Sequence, residues 1–179
     1  MRKELFEFRH IVKHIGGHAA LRDVSLRLYQ DEITFLVGRG SGRAVLSQMM
    51  MGELTPDSGT MLLLEKPYQP LSPEKAHERG IFCVTQDTKL IQNLSLSENI
   101  YIARPLSGIW HRGQADAFAQ MACQECGIQL DLSKKASHVK LIDTLMVYCL
   151  RALLVRAQLL ILDNLLYLLS EKDIDLLFQ

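Results

Sequence analysis

The sequence lacks an excess of charge of either sign. Its 179 residues contain 20 Lys and Arg and 20 Asp and Glu, so the formal net charge at pH 7 is zero. Proteins that bind nucleic acid or anionic membranes usually carry a positive surplus. We therefore expect no nucleic-acid partner for this domain. Apolar residues make up 48% and charged residues 22%, which is ordinary for a globular protein.

Segments that would direct the chain to a membrane are also missing. The first residues contain no apolar stretch of the kind that a signal peptide needs. The most apolar tract, residues 145–178, is interrupted by Arg151, Arg156 and Asp163, so it does not have the unbroken length that a bilayer requires. We expect a cytoplasmic protein without direct membrane insertion.

The four cysteines and six histidines show no spacing typical of a metal site. Cys123 and Cys126 form a CxxC pair inside a predicted helix, without a second pair elsewhere. A zinc site would need two more ligands, and a redox motif would need a strand-to-helix turn. We expect reduced thiols and no metal centre.

A predicted strand, a glycine turn and a predicted helix follow one another between residues 33 and 51. The strand is the mainly apolar run 33–37, the turn contains Gly38, Gly40 and Gly42, and the mainly apolar segment 44–51 follows. Glycines allow the backbone to curl so that its N–H groups and the helix N-terminus face an anion. The pattern is that of a phosphate-binding loop.

The same turn departs from a working P-loop, which has Gly, four residues, Gly, Lys, and then Ser or Thr. Only three residues separate Gly38 from Gly42. Arg43 stands where Lys is needed, and Ala44 stands where the magnesium-binding hydroxyl is needed. The sequence therefore predicts the loop without the lysine that usually binds phosphate and without the hydroxyl that usually binds magnesium.

Strand and helix patterns alternate along the rest of the chain, which favours an α/β fold with a mostly parallel sheet. The N-terminal strands alternate apolar and polar residues, as an antiparallel sheet does. From about residue 94 to 150 the pattern is mainly helical. Predicted strands occupy residues 5–10, 24–29, 61–64, 81–84 and 159–163, and predicted helices cover 72–80, 97 onward, 114–126, 141 onward and 170 onward.

Five segments, in this order and spacing, resemble the nucleotide-binding domain of ABC transporters, most closely the carbohydrate-importer branch. Residues 13–26 resemble the family's opening hairpin, and 56–59 its usual turn. Residues 72–86, from Ser72 to Gln86, are similar to the approach to its Q-loop. Residues 93–100 resemble the segment after that loop, and 160–163 the end of its Walker B strand.

The resemblance implies a P-loop NTPase-like, ABC-type core with a mostly parallel sheet, an N-terminal antiparallel β part and a helical subdomain. We expect one domain over residues 1–179, with its core at 1–91 and 151–179 and the helical subdomain at 92–150. The sequence ends before the segment that carries the family's switch histidine, so we expect it to be cut from a longer polypeptide.

Several positions that carry chemistry in the family are replaced. The aromatic residue that stacks on adenine corresponds to Ile15, and the P-loop Lys to Arg43. The signature sequence falls on residues 139–143 and is unrecognisable. Asn164 occupies the position of the catalytic Glu, and an amide cannot take a proton from water. Phosphoryl transfer depends on positioning and charge neutralisation, so we expect these losses to add up.

These replacements predict a catalytically inactive, ATPase-like domain that acts as a protein-interaction or sensory module of a larger cytoplasmic protein. We expect no enzyme activity, no cofactor, and a protein partner or fused domain, with a homodimer as one form. Two alternatives stay open: an ATP-binding subunit of a carbohydrate ABC importer that uses ATP and Mg²⁺, or a nucleotide- or anion-binding domain without hydrolysis. The candidate binding residues are a vestigial phosphate loop and vestigial Mg²⁺ and ATP positions: Gly38, Gly40, Gly42, Arg43, Gln86 and Asp163.

Overall fold

The structure is a computed structural model that describes residues 2–37, 40, 42–103 and 112–178. Gly38 of the candidate phosphate loop lies outside the described residues. The chain divides into two compact units, residues 1–81 and 82–179, and each is described by itself. The expected single domain with a helical subdomain at 92–150 stays a prediction.

A long hairpin builds the first unit. Strands β1 (Glu4–Ile15) and β2 (His18–Tyr29) pair antiparallel. Gly16 and Gly17 join them with φ angles of 56° and 81°, a conformation that glycine adopts without steric cost. The predicted opening hairpin is confirmed, and each strand is longer than the sequence pattern indicated.

Two more strands extend this sheet on the other side of β1. Strand β3 (Ser58–Leu63) pairs antiparallel with β1, and β4 (Lys66–Pro67) pairs with β3. The sheet order is therefore β2-β1-β3-β4. Phe6, Phe8 and Ile11 of β1 are at most 1% exposed, so apolar residues of this central strand contribute to the core of the unit.

Two helices complete the first unit. Helix α1 (Gly42–Met50) begins at the last glycine of the predicted turn and buries Val45, Leu46, Met49 and Met50. The Tyr68 hydroxyl donates a hydrogen bond to the Met50 carbonyl at 2.5 Å. Helix α2 (Pro73–Glu78) has Ser72 as its cap, whose hydroxyl oxygen accepts from the Lys75 N–H. Both predicted helices are confirmed.

The predicted buried strand at residues 33–37 is not present. The structure assigns no regular secondary structure to this segment, and Ile33, Phe35 and Val37 are 65%, 58% and 88% exposed. A strand is held by hydrogen bonds to a neighbouring strand, and neither sheet described here includes these residues. An apolar, β-branched composition alone does not supply that neighbour.

Three helices form the core of the second unit. They are α3 (Leu96–Tyr101), α4 (Arg112–Glu125) and α5 (Leu141–Leu154). Apolar side chains of the three helices are buried together with Leu90 and Ala136 from the connecting segments; the helical members are Leu96, Ile100, Ala119, Ala122, Cys123, Val147 and Leu150. A short 3₁₀ turn covers Ala136–His138. The prediction that this part of the chain is mainly helical is confirmed.

A pair of strands and a last helix complete the second unit. Strand β5 (Ile81–Val84), which begins at the boundary between the units, pairs with β6 (Leu159–Leu162). All four residues of β6 are only partly buried, which corrects the expectation of a strand buried on both faces. Helix α6 (Glu171–Leu177) is capped by Ser170, whose hydroxyl oxygen accepts from the Asp173 N–H.

Candidate nucleotide-binding site

The candidate phosphate residues of the first unit lie at the start of α1. Gly40 has a φ of 91°, which only glycine adopts readily. A Cβ added at Gly42 would lie 3.3 Å from Leu21 Cδ2, so the helix begins close to strand β2. Arg43 lies in the first turn of α1 and is exposed, where its charge is available to an anion at the helix N-terminus.

Ser47, the nearest hydroxyl along α1, does not replace the hydroxyl that the turn lacks. Its Oγ donates to the Ala44 carbonyl at 3.0 Å and is buried within the helix. Ala44, the position expected for the metal-binding hydroxyl, is exposed. Among the residues described at the start of α1, Arg43 is therefore the charged side chain available to a phosphate.

The candidate metal residues of the second unit follow the paired strands β5 and β6. The Asp163 N–H donates to the Val84 carbonyl at 2.9 Å, and the Gln86 Nε2 donates to the Asn164 carbonyl at 3.1 Å. These two contacts join the segment that follows β5 to the segment that follows β6. The two chain segments that carry Gln86 and Asp163 are therefore neighbours just beyond the ends of β5 and β6.

The turn after β6 is shaped by two residues. Asn164 has a φ of 56°, and Asn is one of the few non-glycine residues that adopt this conformation readily. Leu165 is 1% exposed and packs in a small core with Val84 and Leu145. A 3₁₀ turn over Leu166–Leu168 follows, so the backbone reverses immediately after the strand.

This reversal brings Tyr167 to Gln86, a contact that sequence reasoning missed. The Gln86 Nε2 donates to the Tyr167 hydroxyl as well as to the Asn164 carbonyl. The only sign of this contact in the sequence is that Tyr167 is the one residue of the run Leu165–Leu169 with a group that can form a side-chain hydrogen bond. Because the partner lies 81 positions away, local patterns do not reveal it.

The region predicted to correspond to the signature sequence caps a helix. Lys140 immediately precedes α5, and the Asp143 carboxylate accepts from the Lys140 N–H at 3.2 Å. An acidic residue in the first helical turn also interacts favourably with the helix dipole.

Ile15, the position of the adenine-stacking aromatic, is the last residue of β1 and is 46% exposed.

The two cysteines of the CxxC pair lie in different surroundings. Cys123 is 6% exposed within the helical core, and burial, together with nearby Cys126, raises the pKa of its thiol. Cys126 lies just beyond the end of α4 and is exposed. Among the residues that the structure describes, no three His, Cys, Asp or Glu side chains are grouped to hold a metal ion.

Comparison with known proteins decides the family. The chain is 34% identical over 176 residues to the autoinducer 2 import ATP-binding protein LsrA of Enterobacter sp. (strain 638), covering 98% of this chain and 34% of that protein. The sequence profile of the ABC transporter family matches residues 21–166. The chain belongs to the ABC transporter family. Its predicted resemblance is therefore confirmed.

Other relatives and solved structures of ABC proteins agree. The ribose import ATP-binding protein RbsA 2 of Escherichia coli O157:H7 is 32% identical over 178 residues, covering 98% of this chain and 35% of that protein. The ATP-binding cassette MJ1267, solved in its ADP conformation, has a TM-score of 0.79 at 20% identity, covering 98% of this chain and 74% of that one. The predicted P-loop NTPase-type α/β fold is confirmed. The chain spans about a third of the length of these curated relatives.

Family membership corrects two predictions. The relatives are ATP-binding import proteins. The expectation that this chain is not an enzyme is therefore wrong. The expectation that it uses no cofactor is wrong for the same reason. Both expectations rested on the combined loss of several side chains, whereas 98% of the chain matches proteins named as ATP-binding. The predicted cytoplasmic location is confirmed, because ATP-binding domains of this family are cytoplasmic. Within the described residues, no helix has the length and apolar character to cross a bilayer.

Proposed function

We propose that this chain is an ATP-binding domain of an ABC importer whose cargo is a sugar or a sugar-like molecule. The observation that carries the proposal is the match over 98% of the chain to import proteins for autoinducer 2 and for ribose, both named as ATP-binding. Because the chain spans about a third of each relative, we assign to it the nucleotide-binding part of the activity.

Phosphate binding is assigned to the start of α1. A helix N-terminus presents unpaired backbone N–H groups and a partial positive charge to an anion. Arg43 adds a full positive charge in the first turn and is exposed. A guanidinium binds phosphate through two parallel N–H donors, so Arg43 can take the charge-neutralising role at this turn.

Magnesium binding is assigned to Asp163 and Gln86. Mg²⁺ takes oxygen ligands, and proteins bind it through one or two carboxylates together with phosphates and water. A carboxylate and an amide oxygen, carried by neighbouring segments after paired strands, fit that requirement. When bound, Mg²⁺ would neutralise phosphate charge and orient the nucleotide.

A binding titration tests the proposal. We expect MgATP to stabilise the chain, because a ligand at 100 times its Kd adds ~2.7 kcal/mol to the free energy of unfolding. For a chain of this length, that corresponds to a rise in Tm of about 5 °C or more. The measurement is a thermal-shift series with ATP and Mg²⁺, with isothermal titration for the Kd and phosphate release for turnover.

Two variants separate the assigned roles. Arg43→Ala should weaken ATP binding roughly tenfold or more, since a charge-assisted bond contributes about 1.5–3 kcal/mol. Asp163→Asn should weaken binding in Mg²⁺ but not in EDTA. Arg79→Ala is the matched control, because it removes an exposed arginine at the end of α2 and should leave the Kd unchanged. An absence of stabilisation of the wild type by millimolar MgATP would refute the proposal.

We also propose that the domain works with protein partners, namely a second copy and a membrane permease. A structurally similar protein, cbiO1 of Clostridium perfringens (TM-score 0.77), is described as part of an ABC transporter complex. Sedimentation velocity with and without MgATP tests the first partner. A monomer at every nucleotide concentration would contradict it.

A further inference from the structure

Both hydrogens of the Gln86 amide nitrogen have acceptors in the second unit. One acceptor is the Asn164 carbonyl, at 3.1 Å from Nε2, and the other is the Tyr167 hydroxyl. A primary amide has two N–H donors and one carbonyl oxygen. Both N–H groups of the Gln86 amide are therefore hydrogen-bonded to the turn that follows β6.

These acceptors decide which way the amide faces. A backbone carbonyl can only accept, so it must face Nε2 rather than Oε1 of Gln86. The oxygen then faces away from the Asn164 carbonyl. Gln86 is itself exposed, so its Oε1 is accessible from solvent, where it can accept a hydrogen bond or bind a hard cation.

Tyr167 is held in place by its neighbours and not by its own burial. Leu165 anchors the turn in the small core with Val84 and Leu145, whereas Tyr167 is 64% exposed. Removing its hydroxyl therefore leaves the packing of the turn unchanged. The hydroxyl contributes to the orientation of the Gln86 amide and not to the core of the unit.

We propose that Tyr167 is a positioning residue, which holds the Gln86 amide so that Oε1 is presented to a divalent cation also bound by Asp163. This inference rests on the proposed function, because that function supplies the cation as Mg²⁺. A freely rotating amide presents its nitrogen as often as its oxygen and must be ordered when the cation binds. Pre-orientation by Tyr167 removes part of that entropic cost.

Paramagnetic NMR on the full chain without nucleotide tests the role directly. The probe is Mn²⁺ alone, which broadens the resonances of nearby nuclei, and the signal is the side-chain NH₂ pair of Gln86. We expect half-broadening of that pair in the wild type at a Mn²⁺ concentration about threefold lower than in Tyr167→Phe, the size that one exposed hydrogen bond supports. One of the two NH₂ protons should also shift upfield in the variant.

Tyr29→Phe is the control for loss of a hydroxyl, because Tyr29 lies at the end of β2 in the other unit. In Tyr29→Phe, the NH₂ pair of Gln86 should reach half-broadening at the same Mn²⁺ concentration as in the wild type. The wild type and both variants should have the same Tm. Equal broadening of Gln86 in the wild type and in Tyr167→Phe, or no broadening in either, would overturn the inference. The test contains no ATP, so a failure to bind nucleotide would appear separately, in the titrations of the proposed function.

Discussion

Truncation of Asn99 should destabilise the protein more than removal of any exposed amide. Asn99 is 0% exposed. Its Oδ1 accepts from the Ile91 N–H at 2.9 Å and from Arg151 Nη2 at 3.1 Å, and its Nδ2 donates to the carbonyls of Ile91 and Ser95, each at 3.0 Å. One side chain therefore ties the segment before α3 to helix α5.

The magnitude follows from these four bonds. Each contributes about 1 kcal/mol net, and each buried partner left unpaired adds to the loss. Arg151 keeps a second bond, from Nε to the Asn99 main-chain carbonyl at 2.8 Å, so the guanidinium is not left without an acceptor. We expect Asn99→Ala to lower the free energy of unfolding by about 3–4 kcal/mol.

Urea unfolding followed by circular dichroism measures this loss. Asn93→Ala is the matched control, because Asn93 is exposed in the same segment, and a surface substitution changes stability by at most about 0.5 kcal/mol. If Asn99→Ala lost less than about 1 kcal/mol, the four bonds would not be holding this segment, and the reasoning would be refuted.

Two further predictions concern the first unit. A Cβ at Gly59, where φ is 95°, would lie 2.4 Å from the His10 carbonyl oxygen; Gly59→Ala should therefore lower the free energy of unfolding by at least ~1–3 kcal/mol. Gly113→Ala is the control from the other unit, because Gly113 lies in the first turn of α4, where an added Cβ meets open space. It should not lower the free energy of unfolding, and equal losses of the two variants in urea unfolding would contradict the argument. The Lys13 ammonium and the backbone and side chain of His14 lower the pKa of Asp57 to about 2. Because the folded-state pKa is depressed, the stabilisation is present above the unfolded pKa and lost as pH falls from about 4 to about 2. Asp57→Asn should remove this part of the acid transition in a pH series of Tm, and an unchanged acid limb would show that the interaction does not stabilise the fold.

Much of the fold could be predicted because its signals are local. Gly16 and Gly17 lie between two alternating strands, and a two-residue glycine turn is enough to form the hairpin. Ser72 and Ser170 each precede a helix, and their hydroxyl oxygens accept backbone N–H groups three residues ahead. Interactions over three or four residues are contained in the sequence pattern itself.

The predictions that were wrong depended on information outside the local pattern. Residues 33–37 have the composition of a buried strand, but a strand needs a neighbour that composition does not supply. The expectation of no cofactor rested on the combined loss of several side chains, among them those replaced by Arg43 and Asn164. The match of nearly the whole chain to ATP-binding relatives overturns that expectation.

The sequence by itself determined the family, the positions of most helices and strands, and the segments that carry Arg43, Gln86 and Asp163. Only the tertiary structure decided what surrounds Gln86. Its amide is held by Asn164 and Tyr167, 78 and 81 positions away. The physical reason is that the pairing of β5 with β6 and the burial of Leu165 bring these distant segments together, and contacts between distant segments exist only once the chain has folded.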